Sequence, residues 1–132
     1  MDYTIKDAVE TLGMTVHTIR HYCDMGLVPN LRLDEHGHRI FNEESFKWLK
    51  AAASLRSYDM PIPEIRHYFA LCQKGNETFE QRYQMLMDLK AKRAQKIKDL
   101  QDSMIAFEEE SVESRKLFDG SGLDDCNPLN WE

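Results

Sequence analysis

A chain of 132 residues, 42% hydrophobic and 30% charged, is long enough for one domain, or one domain and an appendage. It is too short for an α/β barrel or for a dinucleotide domain with a substrate domain attached. No apolar run reaches the ~18 residues of a membrane span, and the N-terminal MDYTIKDAVE has no basic-then-apolar leader pattern, so a cytoplasmic protein without a membrane partner is expected. The formal charge of −6 is unevenly spread: nine Lys/Arg against ten Asp/Glu over residues 1–76, eight against thirteen over 77–132, with all five histidines in the first stretch. Nucleic-acid binding would therefore rest on a local patch and not on net charge. Cys23, Cys72 and Cys126 are an odd, scattered set without a C-x-x-C. They read as free thiols in a reducing compartment, not as a disulfide scaffold or a zinc ribbon.

In chain order, residues 4–12 predict a first short helix. Thr4 is its N-cap, Ile5, Ala8, Val9 and Leu12 share a face, and Gly13 stands at the left-handed position that ends it. Thr15 caps a second helix over 16–25, with Val16, Ile19, Cys23 and in part Tyr22 turned inward, and Gly26 stops it. Two short helices around a glycine turn make a helix-turn-helix pattern, a weak signal alone because many small bundles share it. Residues 31–41 add a short β-hairpin with its turn over Asp34-Glu35-His36-Gly37, where Gly37 supplies a positive φ. Asn42 caps a third helix running to about Tyr58, with Glu43 and Glu44 in the first turn, where the helix dipole favours anions. Pro61 and Pro63 open a fourth helix, where proline costs little, with Ile62, Ile65, Phe69 and Leu71 or Cys72 inward.

Residues 78–118 contain neither proline nor glycine and predict one helix of roughly 60 Å, capped by Thr78. A heptad reading puts Phe79, Leu86, Arg93, Leu100, Phe107 and Ser114 at one seam position. Tyr83, Lys90, Ile97, Met104, Ser111 and Phe118 take the other, and eight of the twelve are apolar. The rest of the chain is too short to cover such a stripe, so homodimerisation is expected, with Tyr83, Leu86, Ile97, Leu100, Met104 and Phe107 at the contact. The tail, 119–132, is rich in breakers, ends in apolar residues and predicts no secondary structure.

Nothing here predicts an enzyme. There is no Gly-rich phosphate loop and no nucleophile motif, and Asp59 with Glu64 is a cap-region pair, not an acid/base dyad. No cofactor is expected. A soft metal ion needs at least two thiolates, and the three cysteines are too dispersed to predict a metal site. Met60, Met85, Met87 and Met104 with nearby aromatics fit either core packing between helices or an adaptable apolar ligand site.

Five pieces carry a resemblance. Tyr3-Thr4-Ile5, Gly13-Met14-Thr15-Val16-His17-Thr18-Ile19-Arg20-His21-Tyr22, Gly26-Leu27-Val28-Pro29, Gly37-His38-Arg39-Ile40-Phe41 and Met60-Pro61-Ile62-Pro63-Glu64-Ile65 occur in that order. Together they resemble the MerR family of bacterial transcription regulators over residues 1–72. The family reads G-V-S-x-x-T-I-R-Y-Y, G-Y-R-x-Y and F-S-L-E-E-I at the second, fourth and fifth pieces. The resemblance implies a mainly α fold: a winged helix-turn-helix domain over 1–76 with a short β-hairpin wing, an antiparallel coiled-coil dimerisation helix over 77–118, and a tail over 119–132. It implies a homodimer on a pseudo-palindromic promoter, untwisting and bending the DNA so that RNA polymerase meets both promoter elements.

Carried onto this chain, the DNA-facing residues are Thr4, Thr15, His17, Thr18, Arg20, His21, Tyr22, Arg32, Gly37, His38, Arg39 and Phe41. His17 is the candidate base reader, and Arg20, Arg32 and Arg39 are phosphate contacts, although Arg20 also has Asp24 at i+4 as an ordinary ion-pair partner. His21, His38 and Phe41 stand where the family has tyrosines. Three arginines against Asp24, Asp34 and Glu35 between residues 15 and 41 make a weakly basic head and predict a shallow salt dependence. The tail is too short for a separate ligand-binding domain. A small effector is therefore expected where the long helix meets the fourth helix of the partner copy, lined by Phe69, Phe79, Tyr83, Leu129 and Trp131. A coiled-coil protein-interaction module, or a metal or thiol sensor, with weak or lost DNA binding is the alternative.

Overall fold

The computed structural model describes residues 1–120, 124 and 127–132. Five α-helices and one hairpin follow one another: α1 (Ile5–Leu12), α2 (Val16–Asp24), β1 (Arg32–Leu33), β2 (Arg39–Ile40), α3 (Glu43–Ser57), α4 (Ile62–Lys74) and α5 (Phe79–Phe118). The helix starts are set by side chains. Thr4 and Asp7 bond reciprocally across the first turn of α1, and Asn42 and Ser45 do the same at α3, so each pair satisfies two backbone N–H groups that a helix leaves open. α4 begins without a side-chain cap, behind Pro61 and with Pro63 in its first turn.

The strands are only two residues long and antiparallel, with Arg32 opposite Ile40 and Leu33 opposite Arg39. A further bridge joins Tyr3 to Phe41, whose backbones exchange N–H···O bonds of 2.6 and 2.9 Å. It ties the segment before α1 to the far end of the hairpin. Phe41, Ile19, Leu27, Leu49, Met60 and Ile65 are fully buried, so one core draws on α2, the chain after it, the end of the wing, α3 and α4. Phe69 joins it with its ring 4.8 Å from that of Trp48.

Two compact units result, Met1–Leu89 and Lys90–Glu132. The first includes the opening turns of α5, because Leu89 is buried and Leu86 packs against the core. Helix boundaries alone suggest a division at 76/77; packing divides the chain within α5. Two local expectations are corrected. Thr78 does not cap α5: it ends a 3-10 turn (Asn76–Thr78), and its hydroxyl donates back to the carbonyls of Leu71 and Gly75 at 2.6 and 2.8 Å. In the tail, Pro128–Asn130 forms a 3-10 turn opened by Asn127, whose side chain accepts from Leu129 N–H at 3.0 Å. No described helix is long and apolar enough to cross a membrane.

Candidate nucleic-acid interface

Gly13 ends α1 in the left-handed region at φ 67° and donates to Val9 O at 2.9 Å. Any other residue there pays roughly 1–2 kcal/mol of steric cost. After this turn Thr15 caps α2. Its Oγ1 accepts from Thr18 N–H at 3.1 Å and donates to Thr18 Oγ1 at 2.8 Å, so the two hydroxyls form one unit. Ile19 and Tyr22 are buried. Helical spacing then presents His17, Arg20, His21 and Asp24 together on the exposed side.

The wing turn is organised by Asp34. Its carboxylate accepts the backbone N–H groups of His36 and His38, each at 2.8 Å, and its own N–H donates to His38 O at 2.8 Å. Gly37 closes the turn at φ 80°. The His38 amide, followed by the His36 amide and the His38 imidazole, holds the Asp34 carboxyl below its ordinary value against partial desolvation. The imidazoles of His36 and His38 remain exposed.

Each wing arginine is already paired. Arg32 donates to Asp2 Oδ1 at 2.8 Å, and Arg39 is bonded to Asp24 at the end of α2. The i, i+4 spacing suggested Asp24 for Arg20. The hairpin instead delivers Arg39 from 15 residues away, and Arg20 has no ion pair among the described residues. Cys23, beside Asp24, is half-buried; burial pushes its thiol up and Arg39 opposes this. That favours an inert thiol at neutral pH.

These elements surround an open groove of about 770 Å³. Thr4, Arg20, Gly37, His38 and Arg39 line it together with Asp2 and Asp34, so five expected DNA-facing residues from three separate elements meet at one surface. Thr15, His17 and His21 are exposed on α2 outside the groove lining, Thr18 is half-buried, and Arg32 is exposed on β1. Phe41 is a correction. Its side chain is fully buried in the core, because the bridge to Tyr3 turns it inward, and it cannot reach a phosphate. Tyr22 is 9% exposed and belongs chiefly to the core. His17 and His21 stand one helical turn apart on α2, both exposed; the sequence names each as DNA-facing, and their i, i+4 spacing also makes them legible as an imidazole pair. Among the described residues no cluster of three or more His, Cys, Asp or Glu completes a metal site.

Of the expected dimer residues, Ile97, Leu100, Met104 and Phe107 are 55–63% exposed and Tyr83 is also exposed, while Leu86 is half-buried against its own core. Of the expected effector residues, Phe69 is corrected: it is 3% exposed and filled in by Trp48. Phe79 and Tyr83 are exposed neighbours on α5 with ring centroids 6.5 Å apart. Leu129 and Trp131 are exposed in the second unit. Cys72 is half-buried, and Cys126 lies outside the described residues.

Residues 3–72, which hold this whole surface, match the family described as MerR HTH family regulatory protein. The chain belongs to the MerR family. Over 82 residues it is 33% identical to an uncharacterized HTH-type transcriptional regulator of Haemophilus influenzae, covering 62% of this chain and 61% of that protein. Over 84 residues it is 30% identical to the HTH-type transcriptional regulator AdhR of Bacillus subtilis, covering 64% and 60%. The chain thus spans about 60% of the length of these two relatives. In structure it is similar to HiNmlR, a MerR family regulator lacking the sensor domain, solved bound to promoter DNA. The TM-score is 0.67 at 27% identity, over 88% of this chain and 92% of that one. The winged helix-turn-helix fold and the long C-terminal helix are shared MerR features of this chain.

Proposed function

We propose that this MerR-family chain regulates transcription as a homodimer on a pseudo-palindromic promoter. The dimer distorts the duplex so that RNA polymerase meets both promoter elements, and a small effector or stress switches it. The observation that carries the reading is the convergence of Thr4, Arg20, Gly37, His38 and Arg39 on one groove, beside the exposed face of α2. Cations and amide or hydroxyl donors there match phosphate oxygens, and α2 has the dimensions to enter a major groove with His17 near base edges. The exposed apolar stripe of α5 supports the homodimer. Bending a promoter costs on the order of 1–6 kcal/mol, which the contacts of two heads supply. An effector acts by binding one arrangement of the heads better than the other.

The test is binding to the promoter beside the chain's own gene at ~100 mM salt, where phosphate contacts are partly screened. Specific retention by the parent protein, weakened at least tenfold by Arg20→Ala, supports the reading. Retention unchanged by both Arg20→Ala and Arg39→Ala would place the DNA surface elsewhere. No specific binding would favour an interaction module that keeps the fold.

A further inference from the structure

The surface offered to DNA is poor in free positive charge. α2 and the wing carry Arg20, Arg32 and Arg39, and the last two are bonded to Asp2 and Asp24. With Asp34 and Glu35 at the wing turn, three arginines stand against four carboxylates, a net charge of −1. The same two elements hold His17, His21, His36 and His38, all exposed. Protonation of all four brings this surface to +3. At the wing turn the imidazoles lie beside the acids: His36 Nε2 is 3.5 Å from Glu35 Oε1, and His38 Nδ1 is 3.6 Å from Asp34 Oδ2. Neutral imidazoles leave both carboxylates uncompensated at the tip of the wing, and charged ones cancel them.

We infer that His17, His21, His36 and His38 meet DNA phosphates as imidazolium ions, so that promoter binding takes up protons and tightens as pH falls. This rests on the DNA-binding reading above and adds the charge state that reading requires. A phosphate brought up to an imidazole favours the charged form. An imidazole ordinarily titrates at about pH 6.5, so the uptake falls within the physiological range. The neighbouring elements do not supply the missing cations. On α1, which packs against α2, Asp7 is bound in the cap at Thr4, and the exposed Lys6 and Glu10 are of opposite sign. On α3, also against α2, Glu43 and Glu44 precede Lys47 and Lys50, and Arg56 donates to Met60 O. The ring of Tyr22 is 6.3 Å from that of His21, and the amine of Met1 adjoins Asp2. The turn bonds that lower the Asp34 carboxyl keep it ionised as the imidazoles titrate, and burial keeps the Cys23 thiol neutral.

The test measures binding of the full-length chain to the promoter beside its own gene, at constant ionic strength, from about pH 8 to about pH 6. The dissociation constant should fall about tenfold over that range. The slope of log affinity against log salt should steepen toward the acidic end by about 0.9 for each imidazolium that meets a phosphate. His17→Gln, His21→Gln, His36→Gln and His38→Gln together should flatten the pH profile and remove the change in salt slope. His17→Lys with the same change at His21, His36 and His38 fixes the charge, and should bind as tightly at the alkaline end as at the acidic end. His67→Gln, on α4, should keep the parent profile. Circular dichroism checks that each variant is folded. A flat profile for the parent would overturn the inference and leave DNA binding standing. A slope that survives in the fourfold Gln variant would assign the protons to another group and overturn it as well. So would a fourfold Lys variant that keeps the parent's slope, which decides the matter where the Gln variant binds too weakly to measure. No specific binding at any pH in the range would overturn the DNA reading itself.

Discussion

Asp34 governs the wing turn through one carboxylate that accepts two backbone N–H groups. Because those bonds hold its carboxyl below the ordinary value, its contribution to the turn is full above the ordinary carboxylate range. It is lost as pH falls through the lowered value. The amide resonances of His36 and His38 should therefore shift in step below about pH 4, and Asp34→Asn should abolish that step. Amides that do not respond together would mean the turn is held by its backbone bonds alone. The wing arginines give a second prediction at this scale. Arg39 is bonded to Asp24, so a phosphate must compete with a carboxylate already in place. Asp24→Asn should tighten promoter binding by up to about fivefold, within the small net value of an exposed pair. Weaker binding would instead assign Asp24 to orienting Arg39.

Among the elements, the wing depends on more than its two-residue strands. A pair so short has little stability of its own; here the Tyr3–Phe41 bridge and the burial of Phe41 anchor it to the helical core. Phe41→Ala should cost roughly 3–5 kcal/mol of folding stability, read as a lowered denaturation midpoint. Phe41→Leu should keep most of the stability, and most of any promoter binding, because the position asks for apolar volume and not for a phosphate donor. Loss of promoter binding with stability intact in Phe41→Leu would restore a direct role on DNA. The helix-turn-helix has a different sensitivity. Thr15→Ala removes the Thr18 N–H cap and the hydroxyl pair at the start of α2. About 1 kcal/mol should be lost, with fraying confined to that end of the helix by amide exchange.

For the molecule as a whole, the proposed function requires two heads joined at a fixed separation. Leu100→Glu or Phe107→Glu places a charge in the exposed apolar stripe of α5 and should give monomers. Each head should remain folded, since the core of Met1–Leu89 does not draw on these residues. Sedimentation and circular dichroism separate these outcomes. Specific promoter binding should disappear with the dimer, and a monomer that kept it would show that one head suffices. The thiols are not expected to take part in switching: Cys72→Ser with Cys126→Ser should leave the transcriptional response of a reporter unchanged.

Much of this protein is legible in its sequence because the information is local. Thr4, Thr15 and Asn42 cap helices through N–H groups three residues away, and Gly13 and Gly37 answer a backbone demand at their own positions. The unbroken stretch that becomes α5 and the ordered motifs over residues 3–72 are also properties of neighbouring residues. What escaped was set by contacts between distant segments. Alternation along the wing could not tell that Phe41 faces the core, because a bridge to Tyr3 decides it. Helical spacing offered Asp24 to Arg20, whereas the hairpin brings Arg39 to it from another element. Phe69 looked available for a ligand until Trp48 filled its surroundings, and Thr78 looked like a cap until the carbonyls of Leu71 and Gly75 took its hydroxyl. Local rules fix where a helix begins and which residues share its face. Which face is covered, and which charge is already spent, is decided only when segments far apart in the chain compete for the same space and the same hydrogen bonds.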